Sequence, residues 1–356
     1  MRWIALRAQA LVFLAAAGGS SFGHDGRPAS REPDGRATET ALPTLVVLPD
    51  TQYYASQFPE IFVAQTRWIA DEQPLRNFAA AVHLGDLVDS ANDRTQWKVA
   101  GACMRVLDGH VPYVLVPGNH DCDANRAGLM DTYFEPQTMP WISGTMVPGK
   151  IGNNYALVDI GPRRWLILGL EFGPRDAVVA WANGILKAHA SVPAIVVTHA
   201  FLYEDGTRYG TSAPGLADSK PHGQRFSPEA FGYTRREGIN DGEQLWEKLI
   251  VPNPNVQLVL CGHDNGVARL STFRPDGTLV HQVLSDYQWL HQGTRNYAGG
   301  SGYLRLMQFD YRGHEIRVQT YSPYLKKYLT DAANQFTLSL DLPGSDRIAT
   351  GHRRMR

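Results

Sequence analysis

The sequence predicts an α/β fold, and three observations carry the prediction. Apolar runs of strand length recur from Thr44 onward. Several of the intervals between them place apolar residues at helical spacing. Two pairs of strand-like runs close the pattern, the first joined by the turn sequence RPDGT. Alternation of this kind implies layers with a mostly parallel interior, and the late pairs imply antiparallel additions. No internal repeat is present.

In chain order, the first strand is the run Leu45-Val46-Val47-Leu48, within 44–48, continuous enough to be buried on both faces. A helix over 58–73 leads to a strand over 79–84, AAAVHL, and a helix over 95–108 to one over 112–117, PYVLVP. Strands over 154–160 and 164–170 precede a helix over 177–189. The strand 193–198, containing AIVVT, and a helix over 241–250 lead to the strand 256–260, VQLVL. The closing pairs are 266–273 with 278–284 and 303–310 with 314–320. Two long segments, 122–153 and 203–238, read as irregular; loops of that length are lids, binding loops or disorder.

The 356 residues suffice for one large or two ordinary domains. Lys plus Arg (34) against Asp plus Glu (35) gives a net charge of −1, which excludes bulk attraction to nucleic acid or an anionic membrane. Arg2 and Arg7 stand ahead of a short apolar run and then small residues, so 1–23 is read as a secretory signal cleaved near Ala17 or slightly later. The run Ala8–Ala17 is too short to span a bilayer. The expectation is an exported protein, periplasmic or extracellular, with no membrane attachment once the signal is removed. Residues 24–41 read as a disordered spacer, 42–342 as the folded domain and 343–356 as a loose tail. Cys103, Cys122 and Cys261 are an odd set without CxxC spacing, which leaves room for one disulfide and argues against a thiolate zinc site.

In open α/β sheets, ligands gather where strands end. Here the strand ends are Asp50-Thr51-Gln52, Gly85-Asp86-Leu87-Val88-Asp89, Pro117-Gly118-Asn119-His120-Asp121, His199, and Gly262-His263-Asp264-Asn265. Each supplies Asp, Asn, Gln or His and little else. That is the chemistry of oxygen and imidazole metal ligands.

These motifs, D-x-Q at 50–52, GDLVD at 85–89, GNHD at 118–121, the lone His199 and GHDN at 262–265, resemble those of the calcineurin-like metallophosphoesterase superfamily, in the family's order and over about residues 44–320. The resemblance implies a four-layer α/β/β/α sandwich of two mixed sheets flanked by helices. It implies hydrolysis of phosphate mono- or diesters, or of pyrophosphate linkages, at a site for two divalent metal ions bridged by Asp86. One position would take Asp50, Gln52, Asp86 and Asn265; the other would take Asp86, Asn119, His199 and His263. A metal-activated hydroxide would be the nucleophile, and His120, with its ring paired to Asp89, the leaving-group acid. Gly85, Gly118 and Gly262 would let the backbone turn sharply beside the metals.

The commoner family motifs are D-x-H and GHxH, so Gln52 and Asn265 stand where histidines are usual. Both changes fall on one metal position, leaving it oxygen-only and suited to Mn²⁺, Mg²⁺ or Ca²⁺, while the histidine-containing position suits Mn, Fe or Zn. Asp264 should point elsewhere by alternation. The D-x-Q motif also occurs in the family's ADP-ribose/CDP-alcohol diphosphatase branch, which makes a nucleotide-type pyrophosphate an alternative to a small-molecule phosphate ester. A non-catalytic metal- or phosphate-binding module is the rival from another class, and a His120–Asp89 proton donor pair argues against it. Oligomeric state is unreadable.

Other residues carry plainer expectations. His83 reads as a strand histidine in the core, and His222 as a solvated loop histidine. Arg208, Arg225, Arg235 and Arg236 either meet phosphate or belong to a surface loop with five basic and five acidic residues. One of Tyr53 and Tyr54 should line a pocket and the other pack inside. Met139, Trp141 and Met146 form a pocket wall or pack their loop down. The Asp286-Tyr287 segment reads as structural closure of the second sheet.

Overall fold

The computed structural model describes residues 41–210, 224–232, 238–290 and 299–342. The expected signal 1–23, nearly all of the spacer, the tail 343–356, His222, Arg235 and Arg236 lie outside them.

The strands are β1 (Thr44–Leu48), β2 (Phe78–His83), β3 (Tyr113–Leu115), β4 (Ile142–Thr145), β5 (Asn154–Ile160), β6 (Arg163–Leu170), β7 (Ala194–Thr198) and β8 (Val256–Cys261). They continue with β9 (Gly266–Phe273), β10 (Leu279–Asp286), β11 (Leu304–Asp310), β12 (Glu315–Ser322), β13 (Lys327–Leu329) and β14 (Phe336–Ser339). The helices are α1 (Gln52–Ser56), α2 (Pro59–Arg76), α3 (Arg94–Met104), α4 (Met130–Tyr133), α5 (Asp176–Ala188) and α6 (Gly242–Leu245), which runs on as a π-helical turn, Trp246–Ile250.

One sheet has the order β13-β12-β11-β1-β2-β3, with β14 also pairing β12; the other runs β4-β5-β6-β7-β8-β10-β9. Both are mixed. In the first, β1, β2 and β3 are parallel; in the second, β6, β7, β8 and β10 are parallel. Successive strand residues point to opposite faces, which divides the apolar runs between layers. Leu45, Val47, Ala80 and Val82 meet Ile167, Ile195 and Leu258 between the sheets. Val46, Leu48 and Ala81 face outward onto Ile61, Phe62 and Trp97 of α2 and α3. Leu166, Leu168 and Val196 face the other way onto Val178, Ala182 and Leu249. This is the expected four-layer arrangement, and burial on both faces is why the central strands read as continuous apolar runs.

Local chemistry sets several boundaries. α2 starts with Pro59 in its first turn and stops at Asn77, whose φ of 53° is left-handed. α3 starts where the Asp93 side chain accepts from Thr95 N and Gln96 N.

Four features correct or extend the sequence reading. The stretch 122–153 is not wholly irregular, since it holds α4 and edge strand β4. The D-x-Q motif opens a helix, with Gln52 the first residue of α1. The pair β11–β12 joins the first sheet through β1, Leu45 opposite Met307. β10 pairs antiparallel with β9 as expected, but it is also parallel to β8, Leu284 opposite Cys261. All three cysteines are free. Among the described residues no helix is long and apolar enough to cross a membrane.

Candidate metal centre

Parallel strands end on the same side, so the topology brings six strand ends together from the two sheets. β1, β2 and β3 lead to Asp50, Asp86 and Asn119; β7, β8 and β10 lead to His199, His263 and Asp286. Asp50, Asp86 and His199 are buried, with one ligand atom of each lying within 4.8 Å of the others. His199 Nε2 is 3.2 Å from Asp86 Oδ2 and 4.0 Å from Asp50 Oδ2. Its Nδ1–H donates to the Leu84 carbonyl at 2.8 Å, so Nε2 is the atom left to take a proton or a cation.

Close approach of the backbone explains two glycines. A Cβ on Gly118 would collide with the Asp86 carboxylate, and one on Gly262 with that of Asp50. Asp86 and His263 themselves have φ of 51° and 79°, a left-handed conformation that costs free energy for residues other than glycine and clusters at functional sites.

Gln52, Asp86, Asn119, His263 and Asn265 line one cleft of about 140 Å³, and His120 and Gln288 complete its polar wall. Tyr53, Phe226, Phe231 and Trp289 form its mouth, with the Tyr53 and Trp289 rings edge to face at 5.7 Å. His263 is not one of the Asp50–Asp86–His199 group, though its ring lies 4.8 Å from that of His199 and its main-chain N–H donates to Asp50 Oδ2 at 3.2 Å. Its Nε2–H donates to Phe226 O at 2.7 Å, and its pKa is lowered to about 3 by burial and by the charge on His199. It is therefore a neutral imidazole whose Nδ1 keeps its lone pair. Asp264 points away, accepting from Glu204 N.

The His120 ring differs in detail from expectation. Its Nδ1–H donates to the main-chain carbonyl of Asp89 at 2.9 Å, while the Asp89 carboxylate is 3.6 Å away. Burial alone would lower the His120 pKa; Asp86, the Asp89 carbonyl and the Asp89 carboxylate outweigh it and raise it.

Burial and like charge dominate the acids. Asp50 is pushed well above the usual carboxylate range by burial, then by Asp286 and Asp86. Burial would raise Asp86 too, but His199 and His120 bring it down to about 2. Burial also pushes Asp286 up to about 7. Like charges gathered in a dry site repel, and a cation relieves them.

The atoms without partners are informative. Among the described residues, Gln52 Oε1, Asn119 Oδ1 and His199 Nε2 are buried and accept or donate no hydrogen bond. The two amide oxygens are lone-pair donors on residues picked out as ligands from the sequence, while His199 Nε2 faces Asp86 Oδ2 at 3.2 Å. An unpaired buried polar atom costs about 1–3 kcal/mol, and coordination would recover it. The residues present thus fit divalent cations.

Two residues of the site have roles that sequence reasoning did not assign. Asp121 accepts from Leu87 N (3.1 Å), Val88 N (3.0 Å) and Gly118 N (2.8 Å), clasping the second and third motifs together. Its place in GNHD is the available signal. Asp286, expected only to close the second sheet, lays its charge against Asp50.

The remaining expectations are settled by contact. His83 is buried, with Nε2 3.0 Å from Thr51 Oγ1. Tyr53 lines the cleft while Tyr54 is buried, its hydroxyl accepting from Gly302 N. Met139 and Trp141 pack their loop down. Met146 lines a separate cavity of about 350 Å³, where Glu171 pairs with Arg126 and Arg175. Arg208 is held by Glu243 and Gln282, outside the cleft. Arg225 bonds the Tyr203 side chain.

Known proteins resemble this chain to differing degrees. The uncharacterized protein YvnB of Bacillus subtilis (strain 168) is 35% identical over 329 residues, covering 87% of this chain and 22% of that protein. The chain therefore spans about a fifth of the length of that relative. Purple acid phosphatase PPD1 from yellow lupin (Lupinus luteus) seeds aligns with a TM-score of 0.47 and 16% identity, covering 85% of this chain and 54% of that one. TT1561 of Thermus thermophilus aligns at 0.41 and 11%, covering 85% and 100%. A family description, calcineurin-like phosphoesterase, matches residues 43–266, well over half of the sequence, and by that match the chain belongs to the calcineurin-like phosphoesterase family.

Proposed function

We propose that this chain is an exported, metal-dependent hydrolase of small-molecule phosphate mono- or diesters. The observation that carries the reading is the pair of partnerless amide oxygens on Gln52 and Asn119 beside the buried Asp50–Asp86–His199 group. Asp50, Gln52, Asp86 and Asn265 would hold one divalent cation, and Asp86, Asn119, His199 and His263 the other. Bound there, the ions would supply charge for the phosphoryl oxygens and acidify a water for attack on phosphorus. The protein's own groups do the rest. His120, fixed at Nδ1 by the Asp89 carbonyl, offers Nε2–H to the leaving oxygen. Asp86 raises the pKa of that ring, and it also accepts from His120 N at 2.9 Å, which ties the acid to the metal ligands. A pure binding module has no use for such a donor. Export is proposed on the basic and apolar pattern of residues 1–23.

A nucleotide-type pyrophosphate is the second reading, favoured by the aromatic mouth of Tyr53, Trp289 and the half-exposed Phe226. The test is to strip the full chain of metal and assay p-nitrophenyl phosphate, bis-p-nitrophenyl phosphate and a nucleoside diphosphate sugar, adding Mn²⁺, Mg²⁺, Ca²⁺ or Zn²⁺ singly. Turnover with Mn²⁺ is expected on a reporter ester. Turnover of the nucleotide alone would favour the second reading, and none with any ion would sink both.

A further inference from the structure

β10 lies parallel to β8, Leu284 opposite Cys261, so its C-terminal end opens beside Gly262-His263 at the metal centre. Asp286 ends that strand, and Gln288 follows two residues on. Gln288 is held twice by one carboxylate: its N–H donates to Asp286 Oδ1 at 2.8 Å and its Nε2 to Asp286 Oδ2 at 2.9 Å. That clamp fixes the amide plane and leaves the carbonyl oxygen to point elsewhere. Gln288 is 6% exposed, and among the described residues its Oε1 is buried with no hydrogen-bond partner. The side chain lines the same cleft as Gln52, Asn119 and Asn265.

From this we infer that Gln288, oriented by Asp286, is a further oxygen ligand at the cation position of Asp50 and Gln52. A purely structural Gln288 would account for its two donated bonds to Asp286. It would not account for sealing a carbonyl away from water without a partner, which costs about 1–3 kcal/mol. The position also needs the ligand. With Gln52 and Asn265 in place of imidazoles, it has two carboxylates and two amide oxygens, whereas hard cations take about six or more oxygens. An amide carbonyl held by a carboxylate behind it is the oxygen counterpart of a ligating histidine braced by one.

This inference rests on the reading that the cleft holds divalent cations, and the experiment separates the two. Metal-stripped full-length chain is titrated with Mn²⁺ by calorimetry, as wild type and Gln288→Met. Methionine keeps the volume and removes the carbonyl. The expected result is two Mn²⁺ sites in the wild type, one of them weakened about tenfold or more by Gln288→Met. Wild-type affinity in Gln288→Met would overturn the role of Gln288 alone; no Mn²⁺ binding by the wild type would overturn both. A crystal structure of the wild type with Mn²⁺ decides without any variant. Gln288 Oε1 within about 2.5 Å of an ion supports the assignment, and a separation beyond bonding distance from every ion removes it.

Discussion

Asp89 touches His120 through a backbone carbonyl at 2.9 Å, closer than its carboxylate at 3.6 Å, and this decides what each substitution should do. A main-chain acceptor survives any side-chain change. His120→Ala should slow hydrolysis of alkyl phosphates about 10²–10⁴-fold and leave p-nitrophenyl esters nearly unaffected, because a good leaving group needs little protonation. Asp89→Asn should cost far less on the same alkyl series, and kcat plotted against leaving-group pKa checks both. Gly118 makes a second residue-level test. Its Cβ would strike the Asp86 carboxylate, so Gly118→Ala should weaken Mn²⁺ binding in calorimetry while the far-ultraviolet dichroism stays native. Most residues that line the candidate cleft were legible in the sequence because Asp, Asn, Gln and His stood at five strand ends in a known order. Gln288 was not, because an isolated glutamine beyond a hairpin strand has no motif around it.

At the scale of elements, capping chemistry sets the energies. Asp93 accepts from Thr95 N and Gln96 N at the start of α3, whose Trp97 and Met104 are in the core. Asp93→Ala should therefore lower unfolding free energy by about 1 kcal/mol in urea titration. Asp241 begins α6 with a reciprocal capping box, and burial, with Glu229 and Glu243, pushes its carboxyl up to about 6. A raised carboxyl pKa means the fold favours the protonated form. That contribution is fully present below the ordinary value near 3.8 and is lost as pH rises through about 6. Asp241→Asn keeps the acceptor and has no charge to bury, so its melting temperature should exceed wild type at pH 7.5 and converge with it near pH 4, by scanning calorimetry. The long elements were readable from apolar runs and spacing. α1 was not, since five residues are too few for a helical period, and β4 is an edge strand too irregular to alternate.

For the whole molecule, the two sheets share one inner core and jointly hold the cleft, so cation binding should stabilise the fold as a unit. Asp50, Asp86 and Asp286 are buried near one another, and His199 is the basic side chain that pairs with both Asp50 and Asp86. Removing metal with a chelator should lower the melting temperature, by the equivalent of about 2.7 kcal/mol when free metal had been at 100 times Kd. An unchanged melt, read by the same calorimetry, would mean that the acids tolerate one another without a cation. By itself the sequence determined the α/β layering, the central strands and the residue types at five of their ends, because burial period and strand-end chemistry are local properties of the chain. Only the tertiary structure decided that β10 lies parallel to β8, that Asp286 and Gln288 therefore reach the metal centre, and that Asp89 braces His120 through its backbone. Those depend on which strands become neighbours and which atoms are left unpaired, and neither is written in any short stretch of residues.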